Sequence, residues 1–362
     1  ATGSQGATGS QGATGSQGES GVAGSITDLT DALVESDSLY IGNDPSGTTN
    51  SANYNVAIGA TALDAITTGD FNVAVGYNAL TTNTTGVGNT ASGKGALQDN
   101  TEGSRNTASG WDALYKNQTG DYNTASGVDA LYNNISGSQN TASGRNALYE
   151  NTTGNYNTAS GHGALVKNTE GDQNTASGVN ALYENQTGDY NTASGVDALH
   201  NNFSGHYNTA SGYQALHNNF SGDYNTASGD HALYHNISGI QNTASGVVAL
   251  YENTTGDNNT AIGFEALFTN TTGDYNTAIG YGADVGSVDL TNATAIGTGA
   301  IVNASNKIRL GDAEVTVIEG QVAFTSASDR RLKKDIVDTR YGLNTILELR
   351  PVDYQMKSNN LA

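Results

Sequence analysis

The sequence predicts an all-β protein: a repetitive parallel β-solenoid, or β-roll, of about 16 seventeen-residue coils. Three observations carry this. The word Asn-Thr-Ala-Ser-Gly occurs ten times, from Asn89 to Asn242, and each copy starts seventeen residues after the last. Seventeen residues are too few for a helix-pair repeat, which needs more than about thirty, but they suit one turn of a solenoid. Large aliphatic residues are scarce while Gly numbers 47, so each unit must bury a thin core by stacking on its neighbours.

The chain opens with a different pattern. Gly stands at every third position from Gly3 to Gly24. A collagen triple helix requires this, because only hydrogen fits at the shared axis. A flexible Gly/Ser linker is the other reading, but a linker has no need to hold phase. Residues 1–24 therefore read as an N-terminal collagen-like triple helix, which implies three chains. In residues 25–37, "SITDLTDALVESD", Ile26, Leu29 and Leu33 fall at helix spacing behind Ser25 as N-cap. The segment predicts a short trimeric neck, too short to be stable alone.

The repeats occupy residues 38–311. With the Asn of the repeated word as position 1, units start at Ser38, Asn55, Asn72 and onward to Asn276 and Ala293. Position 5 is Gly throughout, position 3 is Ala in all but the first unit (Tyr40), and positions 8 and 9 are usually Ala-Leu. The expected coil has a strand through "YNTAS", a turn at Gly, a strand through "ALYxN" and a second turn at "xTG". Gly at both corners would supply φ > 0. Ala and Leu would point inward, with Thr and Asn facing outward or laddering with their copies. At about 4.8 Å per coil the rod would be roughly 75 Å long. Position 4 is Ile or Val in the end units (Ile41, Ile58, Val75; Ile262, Ile279, Ile296) and Ser in the ten between. This reads as hydrophobic sealing of the ends, as terminal repeats require. So thin a core predicts a homotrimer that buries the remaining apolar face.

"NVAIG" at Asn55–Gly59 and "NTAIG" at Asn259–Gly263 resemble the head repeats of trimeric autotransporter adhesins. The resemblance implies a left-handed parallel β-roll that trimerises and binds host matrix. The seventeen-residue period is longer than that family's usual one, so fold transfers better than target. Beyond a connector at 312–327, "SDRRLKKDI" and "ILELRPVDYQMK" resemble the start of the intramolecular chaperone domain of endosialidases and phage tail fibres. Residues 328–362 cover only the beginning of that domain. In that family a Ser and a Lys five residues later cut the chain just before the Ser. The resemblance thus implies Ser328 as nucleophile, Lys333 as its base and Ala327–Ser328 as the scissile bond, with an uncleaved structural domain as the alternative. A Ser hydroxyl needs such a base, and Lys serves if burial depresses its pKa. Such a cut is one maturation event, not enzymatic turnover.

Position 12 generates Asn-x-Ser/Thr sequons at Asn83, Asn117, Asn134, Asn151, Asn185, Asn202, Asn219, Asn236, Asn253 and Asn270. They read either as a glycan ladder or as turn chemistry that stacks well, and turn chemistry is preferred. Asn100 and Asn168 hold the same slot without a sequon. Two tyrosine rows recur, one through Tyr115, Tyr132, Tyr149, Tyr183, Tyr234 and Tyr251, the other through Tyr122, Tyr156, Tyr190, Tyr207 and Tyr224. They could bind sugar faces or simply stabilise stacked strands; the stabilising role is preferred. The Thr-Ala-Ser row could form a flat hydroxyl array that orders ice, unless it faces a trimer interior. The six His, including His200 and His217 in one row, form no metal constellation with Asp or Glu.

A formal charge of −21 argues against nucleic acid as partner. There is no Cys, hence no disulfide or thiolate metal site, and no apolar run long enough to span a membrane. No metal or cofactor is expected. The chain begins within its triplet array without Met or signal pattern, as a piece of something longer would. The sequence therefore reads as a homotrimeric extracellular fibre, on a cell surface or virion, that displays an adhesive surface to a cell-surface glycan or protein receptor. A purely structural appendage and the fibre part of a glycan-processing enzyme are the alternatives. No carboxylate pair stands out from the repeats to support the enzyme.

Overall fold

The computed structural model describes residues 32–35, 37–42, 49 and 51–319. The collagen-like segment 1–24, the first part of the neck and the segment with Ser328 and Lys333 lie outside the described residues. The chain divides into two units, Ala1–Glu314 and Val315–Ala362. In the second unit only Val315–Glu319 are described, without regular structure.

The first unit is a parallel β-solenoid without helix among its described residues. β1 (Ala32–Glu35) and β2 (Ser38–Ile41) form an antiparallel pair. From β3 (Val56–Ile58) and β4 (Val73–Val75) onward, each coil contributes one three-residue strand to a single sheet. β5 (Thr90–Ser92) to β14 (Thr243–Ser245) all read Thr-Ala-Ser. β15 (Thr260–Ile262), β16 (Thr277–Ile279) and β18 (Thr294–Ile296) follow. Register is in phase throughout: Ala108 pairs with Ala125 and Ala125 with Ala142. β20 (Ile308–Leu310) closes the stack on β18 after a shorter coil, Thr294 pairing with Ile308.

β1 revises the helical neck. Its described residues are a strand on the free edge of β2, because a segment too short to hold a helix alone takes the hydrogen bonds that an open sheet edge offers. A reversed strand there blocks further parallel addition.

The expected second strand of each coil is also revised. After Gly at position 5 the chain runs through consecutive turns, and positions 7, 9 and 17 adopt left-handed backbone: Asp112 (φ 52°), Leu114 (φ 52°) and Tyr122 (φ 58°) in the coil that starts at Asn106. Each such residue costs about 1 kcal/mol or more. The ladder offsets this, because the backbone still bonds from coil to coil. Leu114 N–H donates to Ala130 O at 2.9 Å, Lys116 N–H to Tyr132 O at 2.9 Å and Tyr122 N–H to Ser104 O at 3.0 Å. Only near the C-terminal end does this side become a sheet, where β17 (Asp284–Val285) pairs with β19 (Ile301–Val302).

In the coils that start at Asn55 to Asn259 the core is built on one Leu and two Ala, all fully buried, as in Ala108, Ala113 and Leu114. Burying each Leu stabilises by about 1.5–3 kcal/mol. Asn was expected to face outward or to ladder with its copies. It ladders, and it does so inside: positions 1 and 12 have no exposed area from Asn55 to Asn276 and from Asn83 to Asn270. The Ile and Val of position 4 do not seal the ends. Strand alternation turns them outward with Ser, and Ile58 and Ile279 are 41% and 39% exposed.

Candidate functional surfaces

The two Asn rows are the most ordered chemistry in the rod. Asn106 N–H donates to Asn89 Oδ1 at 2.9 Å, and Asn106 Nδ2 donates to Gly120 O at 2.7 Å across the interior. Asn117 Nδ2 donates both to Asn100 Oδ1 at 2.7 Å and to the same Gly120 O at 3.0 Å. One carbonyl thus accepts from two buried amides, and the arrangement repeats coil after coil. Buried amides are costly unless satisfied; translation by one coil satisfies them, since each donor finds the next copy's acceptor at strand spacing.

This burial supports the preferred reading of the sequons as turn chemistry. Asn117, Asn134, Asn151, Asn185, Asn202, Asn219, Asn236 and Asn253, together with Asn83 and Asn270, are fully buried. Their Nδ2 atoms donate inward, as in Asn134 to Asn117 Oδ1 and Asn253 to Asn236 Oδ1. A glycan on Nδ2 has no room unless its coil opens. Strand alternation, applied one residue before Thr, already places Asn at position 1 inside.

A third ladder runs at position 16, where side chains bond the neighbouring coil's backbone. Ser104 N–H donates to Asp121 Oδ1 at 2.7 Å, Asp121 N–H to Ser138 Oγ at 3.0 Å and Asp189 N–H to His206 Nδ1 at 3.0 Å. Seven of the 35 acidic side chains, among them Asp70, Asp223 and Asp274, accept from the backbone in this row.

The tyrosine rows stack as ladders. The rings of Tyr115, Tyr132 and Tyr149 stack 5.1 and 5.2 Å apart, nearly parallel. Val166 interrupts the row. It resumes as Tyr183, His200, His217, Tyr234, Tyr251 and Phe268, with centroids 4.9–5.5 Å apart. The two histidines are therefore members of the stack. In the other row Tyr190, Tyr207 and Tyr224 stack at 4.8 and 4.9 Å. Tyr122 instead packs under Arg105, and Tyr156 accepts from Gln139 Nε2 at 2.9 Å. Where rings stack, each face is covered by the next ring, so a sugar meets mainly edges.

Burial within the stack holds the His217 imidazole below its ordinary pKa, against the Asn218 side chain that raises it. Burial likewise pushes the Asp284 carboxyl above the usual carboxylate range, partly opposed by hydrogen bonds from Thr269 and Val285. No group of three or more His, Cys, Asp or Glu that could hold a metal occurs among the described residues. A shallow groove of about 250 Å³ lies along Lys116, Asn133, Ile135, Glu150, Thr152 and Thr169. No helix among the described residues is long and apolar enough to cross a membrane.

The outer face of the sheet is the remaining surface. Thr and Ser of β5–β14 are outward and exposed around a buried Ala. The structure does not bring Ser328 and Lys333 into view, because both lie outside the described residues.

Compared with known protein families, residues 328–361 match the chaperone of endosialidase family (Peptidase_S74). No curated protein matches the chain.

Proposed function

We propose that the chain is the shaft of an extracellular homotrimeric fibre, a phage-type tail fibre or a bacterial surface filament, that carries an adhesive surface toward a glycan or protein receptor. The support is a β-solenoid of about 16 coils followed by residues 328–361, which match the chaperone of endosialidase family, a combination that suggests a tail-fibre-like structural protein. The observation that carries the reading is this succession: a stack of coils followed by a chaperone-type segment. The Gly-X-Y array at residues 1–24 supports three chains. Ser328 and Lys333 would release the chaperone once, after assembly.

The covered ring faces favour a second reading, in which the shaft has no receptor of its own. Binding of the purified fibre to a glycan array separates the two: saturable binding supports the adhesin, and none supports the spacer. Native mass spectrometry tests the fibre itself. A threefold mass is expected, and a monomer at all concentrations would overturn it.

A further inference from the structure

The acidic charge of this rod is distributed unevenly. Of 35 Asp and Glu, many sit at positions 7, 11 and 16. The outward strand positions 2 and 4 carry no charge from Val56 to Ile296; every one is Thr, Ser, Val or Ile. The rows beside them, positions 17 and 6, are rich in exposed large residues, among them Phe71, Trp111, Val179, Tyr213, Tyr224 and Tyr281. Across these four rows from Tyr54 to Thr298 the only acidic residue is Asp230. The strip is also apolar at both ends. Ile58, Val73 and Val75 are exposed at one, and Ile262, Ile279 and Ile296 at the other.

We propose that this sheet face, with its two bordering rows, is where copies of the chain pack against one another. The inference rests on the self-association in the fibre reading and assigns its surface. The occupant follows from charge. Chains of −21 each repel one another, so like copies approach best through a face nearly free of acidic residues; its four rows hold Asp230 and the cations Lys94, Arg105 and Arg145. It follows also from size. Three-residue strands make a strip about 10 Å wide and roughly 75 Å long, about 750 Å² per copy before the bordering rows are added. Stable interfaces use about 800 Å² per partner. The in-phase register presents Thr and Ser at identical heights on every copy, and the Ile and Val ends supply the water-excluding contacts.

The test uses the full chain. The variant Ile58→Asp/Ser143→Asp/Ile279→Asp places carboxylates on the face, and Gln118→Glu/Gln186→Glu adds charge to exposed positions elsewhere. Sedimentation velocity, with far-UV circular dichroism to report the solenoid, should give an oligomeric wild type and control and a monomeric face variant. Should the face variant misfold, single nitroxide labels at Ser143→Cys and Gln118→Cys, in a chain with no other Cys, replace it. Dipolar coupling between copies is expected to be stronger at 143. A face variant that stays oligomeric, or equal coupling at both labels, would overturn the assigned face and leave self-association standing. A monomeric wild type would overturn both.

Discussion

Asn117 donates its side-chain amide to Asn100 one coil below at 2.7 Å, while the same nitrogen reaches Gly120 O at 3.0 Å. Both partners are buried, so Asn117→Ala leaves the Asn100 oxygen short of a donor and Gly120 O with one donor fewer. Such losses cost about 1–3 kcal/mol. A corresponding fall in the urea midpoint is expected. Thr119→Ala, on the exposed part of the same turn, destroys the sequon without touching the ladder. Its midpoint should stay within about 0.5 kcal/mol of wild type and its mass should change by the substitution alone. A larger mass loss would show a glycan on Asn117.

Gly110 and Gly120 are required for different reasons. Gly110 has φ 143°, which L side chains rarely adopt, and a Cβ there would press on the Gly127 carbonyl. Gly120 has ordinary φ, but a Cβ would strike the Gly137 carbonyl and Asn117 Oδ1 at 2.5 Å. Gly110→Ala and Gly120→Ala should each destabilise by about 1–3 kcal/mol, against almost nothing for Ser109→Ala. Equal midpoints for the three variants would mean that neighbouring coils are farther apart than described.

The period, the strand over Thr-Ala-Ser and the Ala-Leu core are legible in the sequence, because each depends on local pattern. The left-handed Leu114 is not, since nothing in a Leu announces positive φ; stacking between coils imposes it. The interior Asn rows were legible in part. Period-two alternation marks Asn106, but polarity argues the wrong way until each amide is seen to find its own copy one coil away. Alternation also sends Ile58 outward, where a reading by hydropathy sends it in. The roles of Ser328 and Lys333 are proposals that rest on the resemblance of their segment, which lies outside the described residues.

Two half-buried titratable groups give opposite pH trends. His217 is lowered by burial, so the unfolded chain binds its proton first. Stability is then complete above about pH 6.5 and falls as pH drops below it. His217→Tyr, which continues the ring row, should flatten the acid side of a melting-temperature profile. Asp284 is raised by burial, so its share is complete below the unfolded value and falls as pH rises through the folded one. Asp284→Asn keeps an oxygen for the Thr269 and Val285 N–H groups and should raise the melting temperature at neutral pH. An unchanged profile in both variants would show that neither group is linked to folding.

The proposed maturation step makes a chemical prediction. Ser328 Oγ attacks the Ala327 carbonyl carbon, Lys333 takes the hydroxyl proton, and the Ser328 nitrogen leaves protonated. The bond moves from amide to ester, and water then hydrolyses the ester, leaving a carboxylate on Ala327 and a free amine on Ser328. Wild type should therefore yield a chain ending at Ala327 in a denatured mass spectrum, and Ser328→Ala should stay whole. Lys333→Arg keeps the charge but has no accessible neutral form, so it too should stay whole, whereas Ser328→Cys should accumulate a thioester that hydroxylamine traps. Because the base must be neutral, cleavage should quicken as pH rises. Cleavage of Lys333→Arg at the wild-type rate would remove Lys333 from the step, and an intact wild-type chain would make the segment structural.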